Sequence, residues 1–326
     1  MKKDASAVIF GGSGLVGSGI KNALDSSIVI KHIAAPSSSQ INLMDLPSVS
    51  AYLEELKPDL VIMAAGQVGG ILFNSLNQQE QFKSNFLMNF NVIEASLLAK
   101  VPSFYLISSS CIYPEAAQFP MTEKDIFNGL PHLTNEGYAI AKSAAVRQVL
   151  LYRRIYGLDW KVLVPTNIYG TNEKFKEGAH VIPQLVSKIA QAIEKNSEAI
   201  LISGDGSPIR EFLLNSELGN AVKYLIDRDI DFDLLNISSG EPITILELAN
   251  LICRKMNFSG QVKFDLTAPN GHPNKTLDIS FLKEIGWKNS RDLNEGIGCL
   301  VDDFFSSKEA SEKLYEHTTI MQGIKR

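Results

Sequence analysis

Cysteine is scarce in this chain of 326 residues, which holds only Cys111, Cys253 and Cys299. Their number is odd, no two form a CxxC pair and no histidine ligands stand near them. That excludes a disulfide framework and a zinc site, and leaves thiol chemistry as the use open to them. Long apolar runs are missing too, since no stretch approaches the ~18 residues of a membrane helix. Met1-Lys2-Lys3-Asp4 leads straight into a strand-like segment with no export-signal core, so the cytosol is the expected compartment and no membrane partner is expected. Nor is there an excess of basic charge: the net charge is −5 and the isoelectric point about 5.6. Nucleic acid is therefore not expected as a partner, because its phosphates are held by clustered Lys and Arg. A single anionic ligand in a local basic pocket stays open. Neither an internal repeat nor a low-complexity segment is present.

What the chain does have is 45% hydrophobic and 21% charged residues, the balance of an ordinary globular protein. Ala7-Val8-Ile9-Phe10, a glycine-rich turn and a helix-compatible run to Leu24 read as strand, turn and helix. Further strand-like runs cover Ser27 to Ile33, Leu60 to Ala64, Phe104 to Ser108 and Lys161 to Val164, separated by helical patterns at the spacing of βαβ units. The expected fold is an α/β Rossmann doubly wound parallel sheet with a smaller α/β substrate-binding lobe. Residues 1–170 form the first domain, rejoined by about 210–238, where Leu234 to Ile237 supply one more strand. Residues 171–209 and 239–326 form the second lobe, including a loop over 172–178 and helices over Pro183 to Lys195 and Thr244 to Met256.

Gly11-Gly12-Ser13-Gly14-Leu15-Val16-Gly17 carries glycines three apart, a spacing that turns the backbone tightly and sets a dinucleotide pyrophosphate on the amides of a helix N-terminus. A glycine-rich turn without ligand is the plainer alternative. After the second strand, His32 to Ser39 contain no carboxylate to bind a ribose 2′-hydroxyl, and three serines could hydrogen-bond a 2′-phosphate, which favours NADP(H) over NAD. Asp45 either meets the adenine end or caps a helix. Tyr138-Ala139-Ile140-Ala141-Lys142 puts a phenol and an ammonium one turn apart on one helix face. Lys142 is expected to lower the pKa of Tyr138, making it a proton-transfer group. A hydroxyl from Ser108-Ser109-Ser110-Cys111 completes the set, with Ser109 the choice. Core or surface use of a YxxxK string is common, and it is the order of turn, serine strand and helix that favours catalysis.

These elements resemble those of the extended short-chain dehydrogenase/reductases, and several further segments narrow the resemblance to the GDP-L-fucose synthase family. They are Ala64-Ala65-Gly66-Gln67-Val68-Gly69-Gly70-Ile71, Ser109 to Pro114, Thr134 to Lys142, Pro165-Thr166-Asn167-Ile168-Tyr169-Gly170 and His180-Val181-Ile182-Pro183, with Arg210-Glu211-Phe212-Leu213 and Leu282 to Trp287 further on. The resemblance implies C3/C5 epimerisation of GDP-4-keto-6-deoxy-D-mannose and reduction at C4 by NADPH. It assigns Cys111 and His180 as the acid–base couple beside Ser109, Tyr138 and Lys142. Along the cofactor it sets Ala64, Ala65, Lys142, Pro165, Asn167, Ile168 and His180. On the substrate side it sets Lys188, Ser203, Arg210, Asn270 and Lys275, with no metal. It also implies a homodimer built on helices near Asn85 to Ala99 and Tyr138 to Tyr156. Departures from the family pattern fall in the substrate lobe: Lys188 stands for arginine, Ser203 for tryptophan, Asn270 for aspartate, and Asn215-Ser216-Glu217-Leu218 for a Val-Asp-Asp-Leu type of sequence. Two alternatives remain open: another 4-keto sugar nucleotide, such as a deoxy-heptose or dideoxy-hexose, and a non-catalytic NADP-binding sensor or scaffold.

Overall fold

A computed structural model describes residues 4–171, 173, 175, 179–268 and 271–306. The first half alternates β1 (Ala5–Phe10), α1 (Leu15–Leu24), β2 (Ile30–Ala34), α2 (Leu46–Leu56), β3 (Leu60–Met63), α3 (Ile71–Leu76), α4 (Gln78–Leu98), β4 (Ser103–Ile107), α5 (Glu136–Tyr156) and β5 (Asp159–Pro165). There follow β6 (Asn167–Tyr169), α6 (Val181–Glu194), β7 (Ala199–Ser203), β8 (Ile209–Arg210), β9 (Phe212–Leu214), α7 (Asn215–Asp227) and β10 (Leu234–Ile237). The chain continues with β11 (Ile243–Thr244), α8 (Ile245–Lys255), β12 (Gln261–Asp265), β13 (Asn274–Lys275), α9 (Ser280–Glu284) and helical residues 293–306.

Six strands form one all-parallel sheet in the order β10-β5-β4-β3-β1-β2. Its inner strands are almost continuously apolar and buried, as both faces are covered by helices. Alternate side chains enter opposite cores. Val8, Phe10, Val61, Met63, Phe104 and Leu106 meet Val49, Val92 and Val146 of α2, α4 and α5 on one side. Ala7, Ile9, Leu60, Ile62, Tyr105 and Ile107 meet Ile20 of α1 and Leu218 and Val222 of α7 on the other. The α1–α7 crossing is a backbone contact: a Cβ on Gly219 would lie 2.1 Å from the Gly19 carbonyl oxygen, and one on Gly19 would lie 2.2 Å from that of Asn215.

β2 starts later than the apolar run beginning at Ser27 indicates. The Ser27 hydroxyl accepts the amides of Val29 and Ile30, at 3.1 and 3.0 Å, and folds that stretch into a turn. The second lobe has its own core, where Ile182, Leu185, Val186 and Ile189 of α6 pack with Leu248 and Ile252 of α8 and with Ile297 and Leu300. The parallel pair β7–β12 and the small sheet β11-β8-β13 belong to it. The C-terminal part of the chain serves both lobes. Leu277, Ile279, Leu282 and Trp287 pack into the cores of the large sheet, while Leu293 to Val301 join the small lobe.

Candidate active site

The parallel strands of the large sheet all end on one rim, and many of the residues singled out from sequence lie there. Beyond β1 the backbone turns at Gly11, with φ +83°, where a Cβ would lie 2.5 Å from the Ala65 nitrogen. The Gly14 amide closes the turn on the Gly11 carbonyl at 3.0 Å. α1 then presses onto the turn so closely that a Cβ on Gly17 would lie 2.1 Å from the same carbonyl oxygen. α1 begins without a side-chain cap and without an acidic residue in its first turn. Its leading amides, which lack intrahelical partners, therefore face a cradle suited to an anion. Ser13, Leu15 and Val16 lie in this turn and the first turn of α1, and Gly12 abuts Ala35, whose Cβ would be 2.7 Å from one added at the glycine. Ala64 and Ala65 follow β3, with the Ala64 amide bonded to the Phe10 carbonyl at 2.9 Å. Asp45 caps α2, accepting the Ser48 amide at 3.2 Å. Ser37 and Ser39 hydrogen-bond each other at 2.8 Å after β2, and Gln40 accepts from Ser37.

Beyond β4 the extended Ser109 starts a short turn over 110–112, its hydroxyl accepting the Cys111 amide at 3.2 Å. The same hydroxyl lies close enough to the phenol of Tyr138, one turn before Lys142 on α5, to act on its titration. Both α5 side chains are buried, but Lys142 does not act as anticipated. Its ammonium donates to the Ile107 carbonyl at 3.0 Å, and burial lowers its pKa to about 8. Burial also drives the Tyr138 phenol above its ordinary range. The charge of Cys111 adds to that shift and the Ser109 hydroxyl only partly opposes it. The expected lowering is thus reversed, because desolvation of a phenolate dominates and the Lys142 ammonium is engaged with a carbonyl. At neutrality Tyr138 is a protonated donor.

Cys111 has further polar neighbours beside Ser109 and Tyr138. The Asn135 carboxamide donates to Sγ at 3.6 Å, and the guanidinium of Arg210 is near enough for the thiol's charge to act on it. Arg210 is pushed down to about 10 by burial and donates to the Ile209 carbonyl at 2.7 Å. Lys275 on β13 stands beside it in register. His180 is the residue before α6; burial lowers its pKa, and its ring makes no hydrogen bond to the other described residues. Lys188 is engaged with the Leu201 carbonyl at 3.0 Å, which ties α6 to β7, and the exposed Ser203 ends that strand. Asn270 lies outside the described residues, as does part of the 172–178 loop. Pro165 closes β5. Asn167 donates to the Glu211 carbonyl at 2.9 Å, and Ile168 pairs with Leu213 across β6 and β9.

Sequence reasoning passed over Glu211 and Asn135. Glu211 is 3% exposed, and its carboxylate accepts from the Ser238 hydroxyl and the Leu277 amide, at 2.8 and 3.0 Å. It thereby fastens β10 and the chain after β13 to the strand bearing Arg210. A charged residue between Arg210 and the apolar Phe212-Leu213-Leu214 was the available signal. Among the described residues no group of acidic, His and Cys side chains could hold a metal, and no helix is long and apolar enough to cross a membrane.

Residues 7–238 match the NAD dependent epimerase/dehydratase family. A GDP-L-fucose synthase of Sinorhizobium fredii is 35% identical over 92% of this chain and 95% of its own length. A GDP-L-colitose synthase of Yersinia pseudotuberculosis is 32% identical over 84% and 90%. Among solved structures, a GDP-6-OMe-4-keto-L-xylo-heptose reductase from C. jejuni superposes with a TM-score of 0.85 at 22% identity, over 94% of this chain and 99% of that one.

Proposed function

We infer that this chain, which belongs to the NAD dependent epimerase/dehydratase family and to its GDP-L-fucose synthase group, is an NADPH-dependent enzyme converting GDP-4-keto-6-deoxy-D-mannose to GDP-L-fucose. The observation that carries the reading is the thiol of Cys111 near enough to Tyr138 and Arg210 for its charge to act on both, in the turn begun by Ser109. A simple reductase needs the phenol alone; a thiol beside it is what an epimerase requires.

The cofactor's pyrophosphate fits the Gly11–Gly17 cradle, where side chains would collide and the uncapped α1 amides supply donors. Bound NADPH supplies hydride to C4. The remaining work belongs to the chain. Ser109 and Tyr138 donate hydrogen bonds to the C4 carbonyl oxygen, so that the electron pair released when a proton leaves C3 or C5 can settle there as an enolate. Cys111 and His180 take that proton and return one from the opposite face, which re-forms the carbonyl and inverts the carbon. Burial keeps His180 neutral at pH 7, able to accept a proton as the site turns over. Tyr138, protonated in its buried position, then gives its proton to the C4 oxygen during reduction. Arg210 and Lys275 are the cations for the diphosphate.

Removing the thiol tests this division of labour. Cys111→Ala is expected to abolish deuterium uptake at C3 and C5 in heavy water while leaving NADPH binding intact. Undiminished uptake would remove Cys111 from the chemistry. A second reading keeps the reaction type and changes the sugar, motivated by the exposed Ser203 and by the GDP-L-colitose synthase among the relatives. The same reading makes the protein a cytosolic two-fold homodimer through α4 and α5. Its support is a stripe of Phe82, Phe86 and Phe90 along α4, stacked at 5.7 and 6.1 Å and exposed to solvent, on a helix that packs along α5.

A further inference from the structure

Asn135 is the residue before α5, where an asparagine ordinarily accepts an amide of its own helix. It makes no such bond. Gln78, at the start of α4, takes over the task. Its carboxamide oxygen accepts the Gly137 amide at 3.0 Å and its nitrogen donates to the Leu133 carbonyl at 2.9 Å. The two helices can approach this closely because residue 137 is glycine: a Cβ there would lie 2.3 Å from the Gln78 carbonyl oxygen. Capping from a neighbouring helix releases the Asn135 side chain, which is 7% exposed, to turn toward the pocket.

Its orientation is dictated by a chain of amides that begins at a backbone donor. The Gly69 N–H can only donate, and it donates to Asn74 Oδ1 at 3.0 Å. Gln81 Nε2 donates to the same oxygen at 2.7 Å. The other end of Asn74 is therefore its nitrogen, which donates to Asn135 Oδ1 at 3.0 Å. Asn135 must then present its nitrogen to Cys111 Sγ, 3.6 Å away. A reversed Asn135 would set its nitrogen against that of Asn74 in a buried place, at the cost of an unsatisfied polar group.

We propose that Asn135 is a positioning residue for Cys111, with its amide locked by Asn74 so that an N–H always points at the sulfur and favours the thiolate. A donor fixed in this way stabilises negative charge on sulfur and gives nothing to the neutral thiol of comparable strength. The other groups facing the thiol are the Arg210 guanidinium from β8 and the Tyr138 phenol from α5. Arg210 supplies charge; Asn135 supplies direction, holding Sγ at one point in the pocket. The inference rests on the reading of Cys111 as an acid–base group, but its test requires neither sugar nucleotide nor cofactor.

The experiment is alkylation of the full-length protein by iodoacetamide across a pH series, followed at the Cys111 peptide by mass spectrometry. Asn135→Leu is expected to move the midpoint of the profile to higher pH and slow alkylation near neutrality about tenfold, the scale of one hydrogen bond to a charged group. The high-pH plateau, which reports access to the sulfur, should stay in place. Asn135→Asp should move the midpoint further than leucine, since a carboxylate repels the thiolate. Asn74→Ala, which only frees the amide to rotate, should move it less. An unchanged midpoint in folded Asn135→Leu overturns the proposal. If that variant does not fold, an unchanged midpoint in Asn74→Ala overturns it instead. A shifted midpoint in a protein with no epimerase activity would sustain the inference about Asn135 and count against the sugar reaction.

Discussion

Lys142 shows how far a pair of residues can be read before its surroundings are known. The four-residue spacing from Tyr138 identifies a shared helix face, and the structure puts both side chains there. Their electrostatics could not be read the same way, because burial and the Ile107 carbonyl depend on where β4 ends relative to α5. The sign of the consequence is clear. With its pKa lowered to about 8, Lys142 is an ammonium below that pH and neutral above it. We expect kcat/KM to fall about tenfold per unit above pH 8 as the charge beside cofactor and phenol is lost. Stability should move the other way. Between about 8 and the ordinary 10.5 the unfolded chain holds a proton that the folded chain has released, so the folded state gains as pH rises. Lys142→Arg keeps its charge throughout this range and should lack the alkaline limb, whatever its absolute rate. A limb that persists in the arginine variant would assign it to another group.

At the scale of elements, the strands and helices of the large sheet were legible because a parallel sheet covered on both faces writes itself as apolar runs between helical periods. α8 could be read to its cap, where Thr244 and Glu247 bond reciprocally. The start of β2 could not, since Ser27 diverts an apolar stretch through hydrogen bonds that no periodicity records. Gly19 and Gly219 also escaped notice, because the contact they permit joins helices two hundred residues apart. The phenylalanines of α4 belong to this scale as well. Three rings on one exposed helical stripe next to α5 fit a four-helix contact between two copies of the chain. Phe86→Glu sets a carboxylate at the centre of that stripe, and light scattering should then report a monomer where a dimer is expected for the parent chain. Equal masses for the two would place the dimer contact elsewhere.

Across the whole molecule, the loss of βαβ rhythm after Gly170 marks where the chain leaves the large sheet for a second core. What the rhythm does not convey is how the lobes are joined. Glu211 holds Ser238 and Leu277 from one buried position, and α9 packs back on the large sheet, so the C-terminal segment returns to the first domain before finishing in the second. This arrangement brings Arg210 and Lys275 to the rim where β4 and α5 present Cys111 and Tyr138, and the proposed reaction sets the sugar between them. The substrate's identity is the part that depends most on the small lobe, where Ser203 and Lys188 depart from the family pattern.

NADPH oxidation by the purified protein with GDP-4-keto-6-deoxy-D-mannose in heavy water, with the product solved by NMR, tests that arrangement most directly. GDP-L-fucose carrying deuterium at C3 and C5 is the expected product. Reduction at C4 without inversion, or no oxidation while NADPH remains bound, would contradict it.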